Sequence, residues 1–435
     1  MGEVAGGSAG GGVVDSDVDE IADLDVEAVR AQFPALGRRH EGAPVVHLDG
    51  AAGSQVPVRV IDAVAGYMAA HNANTEGAFA TSRETDAILA EGRRAMADFL
   101  AADDPDSVVF GASATALLLA LSRSMARTWR SGDEVVVTQL DHDANVAPWL
   151  LAARDAGVAV RQVRLRPEDC SLDMGDMAAA IGPRTRLVAF TSASNATGTM
   201  PPVAEITAMA HAAGAEVVVD AVHCAPHRAV DVAAWGCDYT VCSAYKFFGP
   251  HVGVLWGRRE LLEALPLYQV RPAGERLPHS WMFGTLNHEG IAGVTAAVDY
   301  LAALGLSAAG AGSASPRRGA LEAAYRRIER HEQALCRRLL AGLAGLPAIR
   351  VWGLADPVRA AERAPTVSFT HARLKPAEVA TFLADHGVFA WHGNYFAYEV
   401  SRALGREPDG MVRVSLLHYN TADEVDRLLS LLADL

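Results

Sequence analysis

The chain has 435 residues, half of them hydrophobic and about a fifth charged, which is enough to bury a large core and excludes a wholly disordered, collagen-like or disulfide-stapled protein. Its net charge of −14 disfavours nucleic-acid and anionic-membrane partners, and no uncharged apolar run approaches the roughly 20 residues that span a bilayer. Five scattered cysteines fit reduced thiols, and the Gly-rich, acidic start lacks the basic and apolar regions of a secretory signal, so a cytoplasmic protein is expected.

In chain order, residues 1–24 read as a flexible acidic tail, and the GGSAGGG within it follows no strand, so it is not a dinucleotide fingerprint. From about residue 105 short β-branched runs alternate with helical segments. SVVF precedes GASATALLLALSRSMARTW, EVVVTQL precedes DHDANVAPWLLAARDAG, RLVAFTSASN precedes a Pro-initiated helix over 202–213, and EVVVDAVH follows. The alternation predicts an α/β fold with a parallel sheet between helices, whose ligands bind beyond the carboxyl ends of the strands. Residues 113–115, His142, Asn195, Asp220 and His223 stand there. A helix ending near Gly305 leads into a linker-like SAAGAGSASPRRG. An arginine-rich amphipathic helix over about 320–344, shorter strands and a last helix in TADEVDRLLSLLADL then complete the chain. The expected division is a large domain over 25–306, its N-terminal part free to pack on the other, and a smaller α+β domain over 320–435.

One count points at chemistry. Of 38 basic residues only Lys246 and Lys375 are lysines, in an Ala-, Gly- and Val-rich chain whose composition favours Arg wherever a positive charge suffices. Arginine stays protonated, whereas a lysine amine can lose its proton and condense with an aldehyde. Lys375 sits in a polar turn, ARLKPAE, and reads as a solvated charge. Lys246 lies in VCSAYKFFGPHVGVLWG, among aromatics and Gly-Pro, an unusual place for one.

An aldehyde-linked lysine, an acid beside a pyridine nitrogen and donors for a phosphate are what pyridoxal phosphate requires. Asp220, at the end of EVVVD, supplies such an acid, although an aspartate there also suits a helix N-cap. The turn GASAT offers backbone N–H groups and a positive helix end to a phosphate, as many α/β turns do. His142 could stack on a ring or be structural. His223-Cys224-x-x-His227, with Cys237 and Cys242 downstream, matches no familiar zinc spacing, so no metal is expected.

SNATGT, VVVDAVHCAPH, VDVAAWGCDY and CSAYKFFGPHVGVLWGR, with LDGAAGSQVP, LDHDANVAPW, GTLN and VRVSLLHYNTADEVDRL, stand in an order and spacing that resemble class V aminotransferases. These form the cysteine desulfurase-like branch of fold-type I pyridoxal-phosphate enzymes, and the likeness covers residues 30 to 435. The resemblance implies a large domain with a mostly parallel seven-stranded sheet and a small C-terminal domain. It also implies that Lys246 carries the cofactor as a Schiff base and later moves the α-proton, with Asp220 on the pyridinium and His142 on the ring face. Asn195 and His223 would lie near the ring oxygen, His223 where many relatives have glutamine. The phosphate would be held by Ala114, Thr115, Ser243, Tyr245 and, from a neighbouring subunit, Thr285, which implies a homodimer with shared sites. Arg413 would grip the carboxylate of an amino-acid substrate.

The chain departs from desulfurases in the stretch VFAWHGNYFAYEV, where the position of their nucleophilic cysteine falls near Asn394 and no cysteine follows Cys336. A persulfide cannot form without a thiolate that reaches the substrate sulfur, so desulfurase activity is disfavoured. Expected instead is β-elimination from a cysteine S-conjugate, with His392, Asn394, Tyr395 and Tyr398 shaping the substrate side. The alternatives are an aminotransferase, an epimerase, a decarboxylating or oxidatively deaminating enzyme, or an inactive cofactor-binding scaffold.

Overall fold

The computed structural model describes residues 24–306 and 317–435; the expected tail, but for residue 24, and most of the linker-like stretch lie outside the described residues. Seven strands build the main sheet: β1 (Val108–Gly111), β2 (Glu134–Thr138), β3 (Ala159–Val163), β4 (Thr185–Thr191), β5 (Glu216–Asp220), β6 (Tyr239–Ser243) and β7 (Gly253–Gly257). Their spatial order is β1-β7-β6-β5-β4-β2-β3. Only β7 is antiparallel, to both β1 and β6, so the other strands run one way and their carboxyl ends meet along one edge.

The valine triplets explain the middle of this sheet. Val135, Val136 and Val137 in β2, and Val217, Val218 and Val219 in β5, are all fully buried, because helices cover both faces of the sheet at its centre. Strand β3, with the helix Met174–Ala180 behind it, escaped the sequence reading. AVRQV lies at the open edge with several residues in contact with solvent, so it carries Arg161 and Gln162 instead of an apolar run.

The helix His288–Leu306 is long and apolar enough, by length and composition alone, to cross a membrane. It packs instead against the helices Val58–Ala70, Ala80–Leu100 and Arg317–Ala344, with most of its residues buried.

A second sheet of four strands is antiparallel throughout: β8 (Ile349–Trp352), β9 (Thr366–His371), β10 (Trp391–Gly393) and β11 (Met411–Ser415), in the order β8-β9-β11-β10. Its core includes Val367, Phe369, Val412 and Val414, and also Val46 and Leu48 from the N-terminal segment. That segment pairs in parallel with Val388 and Phe389, and Leu48 accepts a bond from the Ser415 N–H (2.8 Å). The helix Arg317–Ala344 bridges the two cores: Leu321, Ala324 and Ile328 face the large one, Leu335, Leu339 and Leu343 the smaller. The site is built where the two bodies meet.

Candidate active site

The carboxyl edge of the main sheet gathers nine side chains or backbone positions into one enclosed pocket: Ala114, Thr115, His142, Asn195, Asp220, His223, Ser243, Tyr245 and Lys246. They stand at or just beyond the carboxyl ends of five strands, β1, β2, β4, β5 and β6, as a parallel sheet dictates.

Lys246 ends a tight turn directly after β6 and is 8% exposed. Its Nζ donates to the Ala51 carbonyl and stands 4.9 Å from the centre of the Tyr245 ring. Burial, reinforced by the Arg413 charge and opposed by Asp220 and Asp49, pulls its amine down to about 7. A neutral amine at physiological pH is what proton abstraction and condensation need. Lys375, by contrast, is exposed and sits 3.7 Å from Asp409.

Asp220 closes β5 and caps no helix; its Oδ1 accepts from the Val222 N–H (2.8 Å). Burial raises its carboxyl to about 6, against the pull of that bond and of Lys246. The His142 ring is driven down to about 4 by burial, with Lys246 and Arg413 adding to it. Its Nδ1 accepts from the Ala144 N–H (3.0 Å), so the proton of the neutral ring sits on Nε2.

Arg413 on β11 is fully buried, which lowers its guanidinium to about 10. Its Nη1 donates to the Asn195 carbonyl (2.8 Å) and its plane lies 4.2 Å over the Tyr395 ring. Among the described residues no carboxylate comes within ion-pair distance of it, so most of a planar donor fork remains for a ligand.

These residues fit pyridoxal phosphate. The Asn195 Oδ1 and His223 Nδ1 are buried with no partner, polar atoms that a ring oxygen or its proton would satisfy. The helix Ala114–Ala126 is capped by Ser113, whose Oγ accepts from Ala116 N, which leaves the N–H groups of Ala114 and Thr115 without intrahelical acceptors. Gly253 on β7 lets this turn seat closely: a Cβ there would stand 2.3 Å from the Ser113 carbonyl carbon.

Residues 46–323 and 319–428 match the aminotransferase class-V family. The chain belongs to that family. It is therefore a pyridoxal-5′-phosphate-dependent enzyme of the α/β fold that the sequence predicted. It is 34% identical over 420 residues to a cysteine desulfurase of Dickeya dadantii, covering 93% of this chain and 95% of that one. Its structure is similar to the apo cysteine desulfurase of Thermococcus onnurineus, with a TM-score of 0.82 and 27% identity over 95% of this chain and 98% of that one. A cysteine desulfurase of Escherichia coli gives a TM-score of 0.81 at 26% identity, with the same coverage.

Four of the expected site residues do not line the pocket directly. Thr285 lies on the wall of a separate cavity of about 740 Å³ along the helix Ala114–Ala126, not in the pocket of its own chain. His392 is exposed and pairs with Val412, so it lies on the face of the small sheet opposite Arg413. Asn394 is engaged locally: Nδ2 donates to Glu407 Oε1 (2.9 Å) and Oδ1 accepts from the Phe396 N–H (3.2 Å). Tyr395 supports Arg413 from beneath, its hydroxyl bonded to the Met411 carbonyl. The sequence reading assigned no role to Asp49, a half-buried carboxyl raised by desolvation and close enough to act on both Lys246 and Arg413. Its signal was its place in LDGAAG, but an aspartate before glycine reads as a turn.

Proposed function

We propose that the protein is a C–S lyase that acts on an S-conjugate of L-cysteine and releases a thiol, pyruvate and ammonia. The observation that carries this reading is a site without a usable thiol. No cysteine follows Cys336, and all five are buried, with burial raising Cys170 and Cys237 to about 12 and Cys224 to about 11. Direct attack on a substrate sulfur needs a thiolate, which these surroundings oppose. Elimination needs only a base, a carboxylate grip and a leaving group. The desulfurase relatives support a cysteine-type substrate.

When bound, pyridoxal phosphate supplies an aldehyde for the substrate amine and a ring that draws electrons from the α-carbon. Asp220 would hold the proton on the ring nitrogen, His142 would lie on the ring face, and Asn195 and His223 would meet the ring oxygen. Ala114, Thr115, Ser243 and Tyr245 would receive the phosphate. Arg413 binds the substrate carboxylate with its free N–H groups and orients the α C–H bond. Lys246 Nζ takes the α-proton as that bond breaks. The C–S bond then breaks with its electron pair leaving on sulfur, which takes up a proton as the thiol, and water converts the rest to pyruvate and ammonia. A scaffold would have no use for a buried amine, acid and guanidinium together.

We further propose a cytoplasmic homodimer. Thr285 outside its own pocket, beside the exposed Tyr268, Val270 and Phe283, supports a site completed by a second copy.

The test is the holoenzyme with S-methyl-L-cysteine and with L-cysteine, assayed for thiol, pyruvate and alanine. Thiol and pyruvate in equal amounts are expected. Alanine from L-cysteine would make the protein a desulfurase, and a keto acid that keeps its sulfur, a transaminase. A D-isomer would show an epimerase, and absence of any turnover would leave the scaffold.

A further inference from the structure

The mouth of the pocket is formed by a strap that no motif accounts for. Residues 394–397 leave β10 and cross to the large domain with Tyr395 (φ 56°) and Phe396 (φ 59°) both in the left-handed region, a backbone conformation that side chains of this size disfavour. Two such residues in succession persist only where the surroundings hold them. The surroundings do: Asn195 Nδ2 donates to the Tyr395 carbonyl (2.9 Å) and the Asp143 N–H donates to the Phe396 carbonyl (2.7 Å). Within the strap, the Ala397 N–H donates to the Asn394 carbonyl (2.8 Å).

Both outside anchors belong to the pocket, since Asn195 lines it and Asp143 follows His142. The result is a phenylalanine ring laid against the His142 imidazole, centroids 5.5 Å and planes 26° apart, while 73% of the residue stays exposed. An exposed aromatic residue gains little from burial, so packing does not explain why the backbone is held in this shape. On the small sheet, Trp391 is half exposed and is the cross-strand partner of Arg413, so both project from one face. With a carboxylate at Arg413 and the α-carbon at Lys246, both at the buried end, the remaining substituent of an amino acid extends toward this aromatic rim.

We propose that Phe396 is the wall on which the substrate's β-substituent stacks, so that the enzyme prefers cysteine S-conjugates whose sulfur carries a planar ring over alkyl conjugates and free cysteine. The proposal rests on the lyase reading for its reaction, but not for its geometry, and the two are tested separately.

The holoenzyme is compared on S-phenyl-L-cysteine and S-methyl-L-cysteine, by kcat/KM for thiol release and by calorimetric affinity. The phenyl compound is expected to be favoured about tenfold, the upper range of an aromatic pair, and Phe396→Ala to erase that ratio while Phe396→Tyr keeps it. An equal ratio in wild type and Phe396→Ala overturns the proposal. If neither compound is turned over, the lyase reading falls, and the affinities decide alone. A phenyl preference lost in Phe396→Ala then upholds the stacking wall, and its persistence or absence in the wild type and variant alike overturns it.

Discussion

The floor and the mouth of this pocket are built on opposite principles. The floor, where Lys246 and Asp220 on the carboxyl edge of the main sheet meet Arg413 from the small sheet, holds all three almost wholly out of water and shifts each away from its ordinary pKa. The mouth, contributed by the segment that follows β10 of the small sheet, is a short strap with exposed aromatics, held by hydrogen bonds to its backbone carbonyls and containing two left-handed residues. Burial tunes charge, and charge is what proton transfer requires. Exposed rings tune shape, and shape is what selects a substituent. The difference teaches how one pocket can separate two tasks: on the reading proposed above, the floor would run the reaction and the mouth would select what undergoes it.

The sharpest way to break this comparison is at the floor. Lys246→Ala is expected to lower kcat for pyruvate release by about a thousandfold or more while the circular dichroism of the fold stays unchanged. A loss of less than tenfold would place the base elsewhere.

The second effect is on stability. In the cofactor-free protein the Lys246 amine titrates near 7, below its ordinary 10.5. Between those values the unfolded chain binds a proton that the folded chain does not, so stability rises with pH across pH 7 to 10.5 and is flat for this group outside that window. The climb is on the order of 5 kcal/mol, and Lys246→Met, which cannot be protonated, should remove it in calorimetric Tm measurements at a series of pH values.

Arg413 joins floor to mouth. Arg413→Gln is expected to cost about a hundredfold in kcat/KM, mainly through KM, as a charged bidentate contact is lost. A fall confined to kcat would argue that Arg413 acts on the reacting atoms and not on the carboxylate.

The smallest effect belongs to the mouth alone. Asn394→Ala removes the bonds to Glu407 and to the Phe396 N–H, which should loosen the strap and raise KM by a few-fold, about 1 kcal/mol, with kcat nearly unchanged. A large drop in kcat would mean that the strap shapes the floor as well.

Much of the floor was legible residue by residue. EVVVT and EVVVD read as strands because a sheet covered on both faces needs unbroken apolar runs. Lys246 stood out because arginine cannot replace a titrating amine, whereas Asp220 at the end of its run read equally as a helix N-cap until the structure showed that it caps no helix. Strand β3 was not legible, since at an open edge the same backbone tolerates Arg161 and Gln162. The mouth was legible only as composition: its aromatic and polar residues were visible, but that His392 faces away from Arg413 and that Asn394 bonds to Glu407 depends on strand pairing and on the strap.

The amino-acid sequence by itself determined the fold class and which residue types stand at the sheet edge, because a local pattern of apolar run, turn and polar residue repeats whatever lies farther away. Only the tertiary structure decided which faces meet there. The pairing of Trp391 with Arg413 turns His392 away, the crossing of Asn195 and Asp143 onto the strap aims Phe396 at His142, and Asp49 reaches Lys246 from almost 200 residues away. A strand flips every side chain with a one-residue change of register, so the orientation of a residue at a domain junction is fixed by long-range pairing that no short motif encodes.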